Sequence, residues 1–141
     1  MKDPATKKAL VWGWLLLAFS LPFGLTLETL HAFKVAGYLE SAMRREMWTL
    51  AHAHGNLVGI LLLAFAGLGE RALPNAAART KVSLLLRLGA LLLPLGFLLG
   101  GILNAEGDPS LGIALVPIGA LLLLVGLVLA AIGARSTGAD D

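Results

Sequence analysis

The sequence predicts an all-α integral membrane protein: an antiparallel four-helix bundle of membrane spans with both termini on the cytoplasmic side (N-in/C-in). Three observations predict it. Residues 9–27, 48–69, 82–103 and 111–133 are apolar runs of 19 to 23 residues, and about 20 residues at 1.5 Å each cross a hydrocarbon core of roughly 30 Å. The composition agrees, with 57% hydrophobic and only 14% charged residues and a mean hydropathy of +0.83. Lys2, Lys7, Lys8, Arg71, Arg79, Lys81, Arg87 and Arg135 fall on one side of these spans, against Lys34, Arg44 and Arg45 on the other. The richer side is cytoplasmic by the positive-inside rule. Residues 1–141 then form a single transmembrane domain.

Lipid offers backbone amides no partner, so each run must be helical. The first span covers about residues 9–30. Lys7 and Lys8 ahead of an apolar run would also suit a signal peptide, but the run is long and no A-x-A-like site precedes the next charges, so a retained span is expected. Residues 32–47 are polar and too long for a tight turn. Tyr38, Leu39, Ala42, Met43 and Met47 recur at helical spacing, with Glu40 and Arg44 four apart on another face. The expectation is a short interfacial helix over the outer mouth, or an extension of span two. Residues 69–81, with Pro74 and Asn75, and residues 104–110 read as loops. Pro22, Pro94 and Pro117 lie inside spans and are expected to kink them. Trp12 and Trp14 should sit at the inner interface, Tyr38 and Trp48 at the outer one. Gly112, Gly119, Gly126 and Gly133 recur every seventh residue in span four. Gly89 and Gly96 repeat that interval in span three, and Gly96 with Gly100 forms a GxxxG. Such spacing lets helices pack backbone to backbone.

Several functions are excluded at this level. Cysteine is absent, which removes disulfides, thiolate metal sites and covalent c-type haem. The net charge is only +2, and its few cations flank spans, so no nucleic-acid partner is expected. There is no nucleotide-binding motif and no nucleophile–base–acid constellation. No catalytic residue stands out, which leaves enzymatic activity open.

Chemistry gathers at one end. Residues 48–65 read WTLAHAHGNLVGILLLAF, a histidine-bearing mouth opening on an apolar span, and all three histidines lie between positions 31 and 54. At 100° per residue, Ser20, Gly24, Glu28 and His31 form one stripe on span one, and Thr49, His52, Asn56 and Gly59 form another on span two. The stripes should face each other, because Glu and His are costly against lipid. His54 lies about 200° from His52 around the helix, on a face with Leu50, Ala51, Val58 and Leu61. Glu28, His31 and His52 are candidate ligands for a transition metal. His31 and His52 are candidate axial ligands of a b-type haem, with His54 as a rival and Thr49 and Asn56 as supporting polar groups. The Glu-x-x-His spacing occurs once, too little for a di-iron site. The same groups could instead bond to each other and knit helix ends. Asn104, Glu106 and Asp108 belong to the same outer end, the two acids as solvated loop residues.

Four stretches, LETLHAFKVAGYL, MWTLAHAHGNLVG, LLPLGFLLGG and GDPSLGIALVPIGALLLL, carry a resemblance over nearly the whole chain to a family of small, uncharacterised bacterial four-span membrane proteins. It implies the fold and a multi-pass place in the bacterial inner (cytoplasmic) membrane, and it implies no activity. His54-Gly55, followed by an apolar run to Phe65, resembles the second transmembrane helix of the haem-copper oxidase catalytic subunit, where that histidine ligates a low-spin haem. The resemblance implies His54 as a haem ligand. His52 stands where that helix usually has threonine, and Val58 where it has methionine. Spans three and four contain no His for a second haem and copper, so oxygen reduction by that mechanism is excluded.

Together these features lead to a small membrane protein binding haem b or a transition metal in its outer leaflet, an electron-transfer or sensing subunit. The rival is a structural or assembly subunit without cofactor, whose polar cluster only locks helices. Proton-coupled transport along Glu28, His31, His52 and Asn56 ranks third, because residues deeper than Asn56 are nearly all Leu, Ala and Gly. The expected partners are the lipid bilayer and either other membrane subunits or a second copy of the chain.

Overall fold

The computed structural model describes residues 3–102, 104 and 107–137. It is an all-α bundle of four long helices and one short one. Helix α1 spans Pro4–Ala32, α2 Ala36–Leu39, α3 Ala42–Ala72 and α4 Ala76–Gly100; a 3-10 turn at Leu111–Ala114 leads into α5, Leu115–Thr137. All four long elements have the length and apolarity to cross a membrane.

Helices α1, α3 and α4 begin earlier than the apolar runs because capping residues set their ends. Asp3 accepts hydrogen bonds from the amides of Ala5 and Thr6, with Pro4 in the first turn of α1. Ser41 caps α3 through the Arg44 amide at 3.1 Å, and Asn75 caps α4 through Ala77 and Ala78. Each cap satisfies amides that a helix start leaves unpaired. Part of the stretch expected as a loop at 69–81 is therefore helix, since α3 runs on to Ala72 and α4 starts at Ala76.

The polar segment 32–47 contains both expected elements, the short α2 and an extension of α3. Its entry is a tight reversal. Lys34 takes a left-handed φ of 52°, the Val35 amide donates to the Leu30 carbonyl, and the Lys34 amide donates to that of His31. This is the Schellman closure of a helix, usually built on glycine. Pro117 does not kink a span as expected. It falls in the first turn of α5, where no intrahelical amide bond is required. Leu103, expected to end span three, lies outside the described residues.

Packing is uneven. In their most apolar stretches α3 and α4 are each 39% buried, whereas α1 is 22% and the last span 17% buried. Helices α3 and α4 pack on each other, α1 packs mainly on α3 and α5 mainly on α4, and α1 and α5 do not touch among the described residues. The core runs along this central pair, through Val58, Leu62 and Phe65 of α3 and Val82, Leu86 and Ala90 of α4. Glycines make the closest seams. A Cβ on Gly13 would lie 2.9 Å from the Gly59 carbonyl oxygen, and one on Gly89 would lie 2.7 Å from that of Gly119. Of the seventh-residue glycines, Gly119 meets Gly89 and Gly112 lies against Leu99 and Gly100, while Gly126 faces Leu86 and Gly133 faces Leu73; α1 and α3 share a second seam whose glycines follow no such repeat.

Candidate functional site

Helices α1 and α3 bring the polar stripes together around His52. The imidazole lies in a notch left by Gly24, where a Cβ would stand 2.2 Å from its Cε1. Its Nδ1 is 2.9 Å from the Ser20 carbonyl oxygen. A carbonyl only accepts, so Nδ1 carries the proton and Nε2 is left as an acceptor. The Asn56 side-chain nitrogen stands 3.3 Å from that Nε2 and 3.4 Å from Nδ1, so it lies over the ring and not in line with the Nε2 lone pair. In return, Ser20 Oγ donates to the His52 carbonyl at 2.8 Å. The ring is thus held through Nδ1, with Asn56 against it, and the pair of bonds with Ser20 ties α1 to α3. The Asn56 Oδ1 atom is buried without a partner.

Glu28, Thr49 and His52 line one cavity of about 310 Å³, roofed by Tyr38. Glu28 and Thr49 are exposed at its rim. His31 is exposed and is not among the residues lining that cavity. His54 points elsewhere: its Nδ1 donates to the Leu50 carbonyl of its own helix at 2.8 Å, and its ring stacks on Phe97 of α4 at 4.8 Å. Among the described residues no three His, Asp or Glu side chains are grouped to hold a metal ion. The cluster expected of Glu28, His31 and His52 does not assemble as three ligands. One step past the Gly24–Glu28 stripe, His31 reaches the last turn of α1, where the helix closes and its residues face outward.

Other polar residues do more than their sequence positions suggested. Arg44 Nε donates to the Gly101 carbonyl at 3.1 Å, another of its nitrogens bonds the Gly37 carbonyl, and a third stands 3.4 Å from Asn104 Oδ1. Asn104 Nδ2 in turn donates to Ser41 Oγ at 3.2 Å. The Arg44 guanidinium lies 5.7 Å from the Trp48 ring centroid. Trp48 also stacks on Tyr38 and donates its indole N–H to the Leu98 carbonyl at 3.1 Å. One side chain thus holds α2, α3 and the end of α4 together. Asp108 is exposed, and Glu106 lies outside the described residues.

A second clasp closes the opposite end. Asp3 and Arg79 form an ion pair at 2.8 Å with side chains only 12% and 10% exposed. Arg79 also donates to the Leu73 carbonyl at 2.5 Å, Thr6 Oγ1 donates to Glu70 at 3.2 Å, and Ser83 Oγ donates to the Ala5 carbonyl at 2.8 Å. The bond from Arg79 is the largest influence on the Asp3 carboxyl. With the amides of Thr6 and Ala5 it outweighs desolvation and holds the group down at about 2, from an ordinary 3.8. An aspartate directly before a proline was the available sign of the cap. Nothing local marks its partner 76 residues away.

Compared with known proteins, the chain matches no family model, no curated protein and no solved structure. The two resemblances rest on the residues quoted for them.

Proposed function

We propose that this chain is a structural or assembly subunit of a membrane, an antiparallel four-span bundle lying N-in/C-in, whose polar side chains lock helix to helix. One observation carries the reading. The side chain best placed to bind a cofactor, His52, is instead bonded to the facing helix through Ser20, and among the described residues no three His, Asp or Glu side chains are grouped around it to hold a metal. The polar knots at the two ends, around Arg44 and around Arg79, support it, since interhelical hydrogen bonds hold together helices that lipid does not press against each other. The test is to purify the protein from cells supplied with haem precursor and transition metals. The expected preparation has no Soret band and no stoichiometric metal, and His52→Ala lowers its melting temperature. A Soret band or bound metal that disappears in His52→Ala would overturn the reading.

A second reading, a haem b or transition-metal site in the outer leaflet, is favoured by the cavity that Glu28, Thr49 and His52 share. A metal there would take the Glu28 carboxylate and His52 Nε2 once Asn56 turned aside. The Nδ1 bond to the Ser20 carbonyl is the kind of outer support that orients a ligating imidazole. The same preparation distinguishes the two readings.

A further inference from the structure

We propose that the crevice between α1 and α4 is a binding site for an anionic phospholipid of the leaflet at the N-terminal end of the bundle, with an acyl chain in the crevice and the phosphate on Arg87. The crevice is an apolar slot of about 350 Å³, walled by Leu16, Phe19 and Phe23 of α1 and by Leu91, Pro94 and Leu98 of α4. Its floor is Ala51 and Gly55 of α3, small residues that leave room where larger ones would fill it. It opens sideways to lipid, since Phe19 is 76% exposed on its rim.

The wall positions advance in step on the two helices, by three or four residues at a time. One turn before Leu16 stands Trp12, and one turn before Leu91 stands Arg87. These two meet, with the guanidinium carbon 6.0 Å from the indole centroid. A charged group and an interfacial aromatic therefore cap the end of the apolar slot. From Trp12 to Phe23 the helix rises about 16 Å at 1.5 Å per residue, close to half of a hydrocarbon core of roughly 30 Å. The slot itself, from Leu16 to Phe23, covers about 10 Å of that rise, and Trp12 and Arg87 stand one turn beyond its end.

Arg87 supplies the charge argument. It lies inside the span, eight residues beyond Arg79. Among the described residues the single ion pair is the one between Asp3 and Arg79, so Arg87 has no carboxylate partner. Its Nε donates to the Ser83 carbonyl at 3.2 Å, and its two terminal nitrogens have no hydrogen-bond partner among the described residues. A guanidinium just below the interface draws an anionic partner from the headgroup region, and its fork matches phosphate oxygens. Lys8, one turn before Trp12, adds a second cation toward the headgroup. A helix of a second copy, about 10 Å across with its side chains, fits poorly in a slot of about 350 Å³.

The experiment is native mass spectrometry of the delipidated full chain, titrated with phosphatidylglycerol or with phosphatidylcholine of the same acyl chains. The wild type should retain phosphatidylglycerol with about fivefold preference, the factor contributed by one basic residue at an anionic lipid surface. Arg87→Gln should bind both lipids alike, while Arg87→Lys keeps most of the preference. Leu91→Trp, which fills the slot from its exposed wall, should weaken both lipids. Melting curves establish that each variant is folded. An undiminished preference in folded Arg87→Gln would overturn the proposal. So would a loss in Arg87→Lys as large as in Arg87→Gln, which would mean that Arg87 acts through Trp12 and Ser83 rather than through its charge. A delipidated dimer that Leu91→Trp disperses would place a second copy in the slot and overturn it as well.

Discussion

Asp3 and Arg79 show how much one pair can hold at a helix end. Breaking it in Arg79→Ala leaves a nearly buried carboxylate and frees the Leu73 carbonyl. The pair lies at the mouth of the bundle, so the expected loss is about 1–3 kcal/mol, between the values for exposed and buried pairs, read from thermal melting in detergent. The pH dependence follows from the depressed carboxyl. Asp3 contributes fully above its ordinary 3.8 and loses its contribution as pH falls through about 2. Between pH 5 and 8 the pair should be insensitive to pH, and below pH 4 the wild type should lose more stability than Asp3→Asn; equal acid losses would remove Asp3 from the account. This pair was invisible in the sequence, where Arg79 counted only as one of eight cations on one side. His52 was legible in part. Helical phase put it on a stripe with Asn56 opposite Ser20 and Gly24, because angular position depends only on local geometry. That Ser20 would offer its backbone carbonyl depends on how closely the helices approach, and periodicity carries no such distance.

At the scale of elements, the glycines separate into those that set an interface and those that do not. A Cβ on Gly119 would meet the Leu93 backbone nitrogen at 2.6 Å. Backbone cannot rotate away as a side chain tip can, so α4 and α5 must separate. Gly119→Ala should cost about 1–3 kcal/mol, as overpacking does. Gly67 has nothing within 4 Å of where its Cβ would be, and it lies inside α3. Gly67→Ala should therefore gain about 0.5–1 kcal/mol from lost unfolded-state freedom. Denaturation of the two variants side by side checks the contrast, and similar effects of both would show that packing does not distinguish them. The four spans were legible because lipid imposes a long apolar run on any crossing helix. Their ends were less so: hydropathy falls away before the helix does, and Asp3, Ser41 and Asn75 continue each helix into polar sequence. Pro117 was misplaced for the opposite reason. The apolar run begins at residue 111, but the α-helix begins only at Leu115.

At the scale of the whole molecule, the order of the helices departs from an evenly closed bundle. Glycine seams draw α3 toward α1 on one side and α4 toward α5 on the other, so the two middle spans form the core and the two outer spans lie against it. Sequence specified which faces are small but not which helix each face meets, since any small stripe can pack on any other. The chain has no cysteine, so introduced pairs report the arrangement without background. The Thr6 methyl lies 3.3 Å from where a Gly69 Cβ would stand, within reach of disulfide geometry. Thr6→Cys with Gly69→Cys should cross-link under mild oxidation in native membranes, as a shift in mobility reversed by reductant. Cysteines scanned through residues 7–25 of α1 against residues 118–135 of α5 should give no intramolecular link, because α3 and α4 stand between them. Efficient links along that scan would mean that α1 and α5 are neighbours, and the slot between α1 and α4 would then be closed to lipid by α5.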